Sequence, residues 1–144
     1  MQLAWLFSCL SSRAQQMDLL IISFLINFKI MKNILKLEET AMLVLSIVLF
    51  NQLHFAWWWY LVLFFAPDIS MIGYLVNTKI GAYCYNFFHH KAVGIIIGIL
   101  GFYLHQEFYV LAGIIIFGHS AFDRIFGFGL KYTDSFKNTH LGSL

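Results

Sequence analysis

The sequence predicts an all-α protein, an integral membrane bundle of about four transmembrane helices, on three observations. Hydrophobic residues fill 60% of the 144 positions and charged residues only 11%, with a mean hydropathy of +0.77. A soluble domain carries about 25% charged residues, so these few charges cannot coat a water-facing surface and lipid is the expected solvent. The apolar residues fall into four long runs between short polar breaks, and the lysines gather at alternate breaks. A formal charge of +2 without a long basic run gives no basis for nucleic-acid binding. The lipid bilayer is the expected partner.

Residues 1–34 read as an N-terminal extension, either foreign to the native protein or an interfacial helix. Their apolar runs, Met1 to Leu10 and Leu19 to Phe28, are shorter than the roughly 20 residues a crossing needs. No Lys or Arg precedes the first run, as a secretory leader would require. Met31, followed by Lys32 and Lys36, resembles an ordinary membrane-protein start, so the extension is expected to be dispensable.

Residues 35–130 are expected to form the bundle. Helix one covers about Leu37 to Leu53, with Glu38 and Glu39 suited to a helix N-terminus. Helix two runs from Phe55 to Val76. It opens on Trp57-Trp58-Trp59-Tyr60, an interfacial aromatic cluster, and Pro67 is expected to kink it. Helix three spans Ile80 to Leu104, but His89, His90 and Lys91 fall near its middle. Either Lys91 is paired or meets water, or the helix breaks there. Helix four covers Phe108 to Phe128 and ends at Gly127-Phe128-Gly129. Residues 131–144 form a polar cytoplasmic tail. Lys32, Lys36, Lys79, Lys131 and Lys137 then share one side, which places the protein in the cell membrane as a multi-pass chain with both termini cytoplasmic.

Polar groups inside apolar helices are the functional candidates. At a rise of about 1.5 Å per residue, Asp68, Asn86, His89, His119 and Asp123 fall at one depth in the cytoplasmic half of the bundle. His119 and Asp123 are spaced i,i+4, and Asn86 and His89 i,i+3, so each pair shares a helix face. Arg124 and His140 approach from the cytoplasmic end, the latter if the tail folds back. Asp68, His89, His119 and Asp123 are donors suited to a divalent metal, and a metal there could activate water. The alternatives are a hydrogen-bonded polar core, with the carboxylates paired to Arg124, Lys91 or a protonated histidine, and a proton or ion path. Gly94 and Gly98 have close-packing spacing, for use inside the bundle or as the seam of a homodimer. Cys84 reads as a packing residue, and no disulfide with Cys9 is expected. No glycine-rich phosphate loop, CxxC pair or nucleophile elbow occurs.

Three stretches, Ala66-Pro67-Asp68-Ile69-Ser70-Met71-Ile72-Gly73-Tyr74, Tyr85-Asn86-Phe87-Phe88-His89 and Gly118-His119-Ser120-Ala121-Phe122-Asp123-Arg124, lead to Gly127-Phe128-Gly129-Leu130-Lys131-Tyr132 and the closing Phe136-Lys137-Asn138-Thr139-His140-Leu141-Gly142. Together they resemble the bacterial domain-of-unknown-function family 4260, over about Leu35 to Leu144. Phe128 and Thr133 depart from the family pattern, where Tyr and Pro are common. The resemblance implies a small multi-helix membrane protein and no particular activity. The expected function is therefore an integral membrane protein of unknown biochemical role with a buried Asp/His/Asn site. The alternative is a membrane-embedded metal-dependent hydrolase acting on a lipid-like substrate, drawn partly from a likeness of Pro67-Asp68 and His119-Asp123 to membrane-bound metal-dependent hydrolases.

Overall fold

The computed structural model describes the backbone of residues 2–143 and the side chains of Arg13 and of residues 15–143. The chain divides into two compact units, Met1–Leu35 and Lys36–Leu144. The described part of the first is helical, and its described side chains are all exposed. Helix α1 (Gln2–Phe50) begins there and ends in the second unit.

The second unit is helical up to a short C-terminal hairpin. After α1 come α2 (Trp57–Phe64), a 3-10 helix (Ala66–Leu75), α3 (Thr78–Phe88), α4 (Lys91–Tyr103) and α5 (Glu107–Phe126). Pro67 sits in the first turn of the 3-10 helix. It has no N–H to continue the α-type ladder from α2, and the backbone changes to the tighter helix there. Asn77 caps α3, its side chain accepting the Ile80 N–H at 2.8 Å. Gly127, at φ +90°, closes α5 in the left-handed conformation glycine favours.

The apolar run Ile80–Leu104 is two helices rather than one. His89 ends α3, and the His90 ring caps α4 by accepting the Ala92 N–H at 3.2 Å. Lys91, in the first turn of α4, is also paired: its ammonium lies 2.7 and 2.8 Å from the two Glu39 oxygens of α1. Both resolutions of the polar break therefore occur together. Glu39 also places an anion near the positive end of α4.

Helices α4 and α5 pack backbone to backbone. A Cβ on Gly113 would stand 2.5 Å from the Gly94 carbonyl oxygen and the Gly98 nitrogen, and one on Gly118 would strike Ser46 Oγ of α1 at 2.4 Å. Phe50, Tyr60, Phe64, Leu111, Ile114 and Ile115 form the apolar core, drawn from α1, α2 and α5. Among the described residues, two stretches, Trp57–Leu75 and Glu107–Phe126, are long and apolar enough to cross a membrane, and Lys91–Tyr103 is a shorter apolar helix.

The close approach makes a paired test. Gly113→Ala is expected to cost about 1–3 kcal/mol through overpacking. A Cβ on Gly98 finds its nearest neighbour at 3.9 Å, so Gly98→Ala should be neutral or slightly stabilising. Thermal unfolding of the two variants in detergent checks the contrast; equal midpoints would refute the α4–α5 packing.

Candidate metal centre

Three elements deliver the polar side chains. Asp68 comes from the first turn of the 3-10 helix, His89 from the end of α3, and His119 and Asp123 from successive turns of α5. His89 and His119 are buried at 3% and 1% exposure. The Asp123 side chain is 14% exposed and that of Asp68 41%, so the cluster opens on the Asp68 side.

The ring nitrogens set the electrostatics. His89 Nδ1 lies 2.9 Å from the Tyr85 carbonyl oxygen. A carbonyl only accepts, so Nδ1 carries the proton and the Nε2 of a neutral His89 presents a lone pair. That Nε2 stands 3.1 Å from His119 Nε2, 3.4 Å from Asp68 Oδ1 and 3.6 Å from Asp123 Oδ2. His119 Nε2 is in turn 3.4 Å from Asp68 Oδ1 and 3.7 Å from Asp123 Oδ1. Four acceptor-type groups thus surround one point; with both rings neutral and both carboxylates ionised, His119 Nε2 is the atom among them that can carry a proton. Lone pairs crowded this closely repel unless a proton or a cation lies between them.

The spacing fits a metal. Tetrahedral donors at bond lengths of about 2.0–2.1 Å lie about 3.3 Å apart, against 3.1, 3.4 and 3.4 Å for the His89, His119 and Asp68 atoms. These three residues form the metal-capable group among the described residues. Asp123 stands slightly outside it and accepts the Tyr85 hydroxyl at 2.7 Å. The hydrogen bond from His89 Nδ1 to a carbonyl is the kind of outer contact that fixes the ring of a metal-binding histidine.

The other expected site residues serve elsewhere. Asn86 grips the backbone of Lys131: its amide donates to the Lys131 carbonyl at 2.8 Å and its oxygen accepts the Lys131 N–H at 2.7 Å. His140 Nδ1 accepts the Leu130 N–H at 2.8 Å. Both residues thereby fold the segment after α5 back on the bundle, where Lys131 bridges Thr139 and the strands β1 (Asn138–Thr139) and β2 (Gly142–Ser143) pair. Arg124 has no carboxylate within ion-pair distance among the described residues, and Lys91 is engaged by Glu39 away from the cluster.

Tyr85 and Lys131 are site neighbours that a reading by intramembrane charge and imidazole does not single out. The Tyr85 ring stacks on His89 with centroids 3.7 Å apart. Its i,i+4 spacing from His89 is the available signal. The Lys131 ammonium lies over the rings of Phe136, Tyr85 and Phe128 at 4.2, 5.2 and 5.9 Å. Burial pushes its pKa below the ordinary value, and the Asp123 carboxylate opposes that shift.

A family model described as "Domain of unknown function (DUF4260)" matches residues 32–144. No curated protein and no solved structure matches the chain.

Asn86→Ala removes both side-chain bonds to Lys131 and strands that buried peptide group. Hydrogen exchange at the Lys131 amide should quicken by about tenfold or more, for a loss of about 1–3 kcal/mol. Unchanged protection would show that the terminal segment is held by other contacts.

Proposed function

The chain belongs to the DUF4260 family of domains of unknown function, and from its own residues we propose that it is a multi-pass membrane protein built around a divalent metal. Asp68, His89 and His119 hold the ion, and hydrolysis of a lipid-like substrate from the cytoplasmic side is the chemistry that fits best. The observation that carries this reading is the mutual spacing of three donor atoms around one point, which suits tetrahedral coordination. A metal held by these residues would lower the pKa of a coordinated water toward neutrality. Asp123, steadied by Tyr85, would be the neighbouring carboxylate to take a proton from such a water, and the more open Asp68 side would give the approach.

The membrane reading is supported by where the apolar side chains face. Leu75, Phe102 and Tyr103 are about 80% exposed, while His89, His119 and Ser120 are buried. That inversion is costly in water and natural in lipid. In this reading α3 and α4, each too short to cross alone, make one crossing interrupted at His89-His90. The lysine asymmetry sets both termini in the cytoplasm.

A hydrogen-bonded polar core is the competing reading, because a proton shared between the two Nε2 atoms also satisfies a 3.1 Å separation. Metal analysis of the purified chain decides between them. About one zinc or similar ion per chain is expected, lost in His89→Ala and His119→Ala, and a strong chelator should lower the unfolding temperature of the native chain only. Metal-free protein that takes up no added zinc would leave the polar core as the answer.

The orientation has its own check. Reporter fusions after Leu53, Asn77, His105 and the C-terminus should alternate from outside to inside, and a C-terminal reporter found outside would reverse the topology.

A further inference from the structure

Away from the Asp/His cluster, α1, α4 and α5 border a trough of about 780 Å³, within the size of small-molecule sites (roughly 300–1,000 Å³). Its three walls run in register. Leu45, Gly94 and Phe117 stand toward one end, and Gln52, His105 and Glu107 toward the other. Between them the lining is apolar, with Leu49 on α1, Ile95 and Ile99 on α4, and Ile114 on α5. Polar side chains gather at the end where α1 finishes and α5 starts. Ile99 and Phe102 on the α4 wall are exposed, so the trough opens sideways. A void walled by hydrocarbon forfeits contacts until something apolar fills it.

We propose that the trough holds one phospholipid of the outer leaflet, its tail along α4 and α5 and an ammonium-bearing headgroup at Glu107; the inference rests on the membrane reading above and not on the metal. Length supports the tail. From Glu107 to Phe117 the α5 wall rises about 15 Å at 1.5 Å per residue, half of a hydrocarbon core about 30 Å thick. In the topology proposed above, the polar end then lies at the outer headgroup level and the apolar end near the middle of the bilayer.

Charge supports the headgroup. Residues 51–56 and 104–107, the two turns at this end, contain no Lys or Arg, so a bare phosphate meets no fixed cation there. The fixed charge is the Glu107 carboxylate, whose side chain is 43% exposed even while it accepts the His54 N–H at 3.3 Å. With the amide oxygens of Gln52 and Gln106 it offers acceptors, and a primary ammonium brings three N–H donors and no acceptor.

Native mass spectrometry tests the assignment. Full-length protein is reconstituted in nanodiscs of equal parts phosphatidylethanolamine and phosphatidylcholine, extracted in mild detergent and weighed intact. One retained lipid per chain is expected, enriched in phosphatidylethanolamine by about fivefold or more, as one charge-assisted hydrogen bond would give. Gly98→Leu and Leu49→Trp fill the trough from opposite walls; a Cβ on Gly98 has its nearest neighbour 3.9 Å away. Each should cut retention by about tenfold, whereas Ile96→Phe, at an exposed position outside the trough, should retain lipid as the native chain does. Glu107→Gln should keep the lipid and lose the preference. A native chain that retains no lipid, a lipid-free dimer, or undiminished retention in both filled variants overturns the inference. So does a preference unchanged in Glu107→Gln. A chain that stays in solution without detergent or lipid overturns the membrane reading and this inference together.

Discussion

The second unit is organised around one electrostatic constraint: the lone pairs of His89, His119, Asp68 and Asp123 meet at a single point, buried on the histidine side and open at Asp68. Groups of this kind are stable in an apolar interior only when each is partnered. The backbone carbonyl of Tyr85 fixes the proton of His89, and the Tyr85 hydroxyl occupies Asp123. These contacts orient the donors around that point. The surrounding helices are arranged to bring the donors that close.

Glycine is the means of that approach. Gly118 immediately precedes His119, and its missing side chain lets Ser46 and Tyr60, bonded to each other at 2.8 Å, reach the backbone of α5. Gly113 does the same for α4. A helix carrying two site residues is thus set against its neighbours by backbone contact, which leaves little slack. Pro67 acts on the other side. Its ring ends the α-type ladder of α2, and Asp68 follows on a tighter helix. The polar site and the packing rules are one design: small residues beside the chemistry, apolar rings such as Phe64 beyond it, with the Phe64 centroid 5.5 Å from that of His119.

How much of this is legible in the sequence varies from element to element. The helical class follows from the apolar runs. The family follows from the Pro-Asp, Tyr-Asn-Phe-Phe-His and His-Ser-Ala-Phe-Asp stretches, which the match to residues 32–144 supports. The break at His89-His90 is visible as polar residues within an apolar run, but its form is not. The partner of Lys91 is a carboxylate on a distant helix, and a contact so remote along the chain has no local signature. That partner, Glu39, reads as an N-terminal acid of helix one, whereas the structure continues α1 far upstream of it. Depth along an assumed membrane groups Asn86 with His89, yet it cannot say that Asn86 turns away to hold a peptide group. Rotation about a helix axis is set by tertiary packing, which spacing alone leaves open. Tyr85, Ser120 and Lys131 escape for a related reason, since hydroxyls and a lysine after the last helix carry no cue of burial.

The grip of Asn86 on the Lys131 backbone bears on the order in which the molecule is completed. Lys131 is translated after every helix, so α3 already displays Asn86 before its partner exists. A nascent chain that has reached only Gly129 contains all the donors of the cluster, while the segment that folds back beneath them is still unmade. The hairpin of Asn138–Thr139 with Gly142–Ser143 comes later still. Assembly is therefore polarised in time: the cluster is complete in composition before the terminal segment is made.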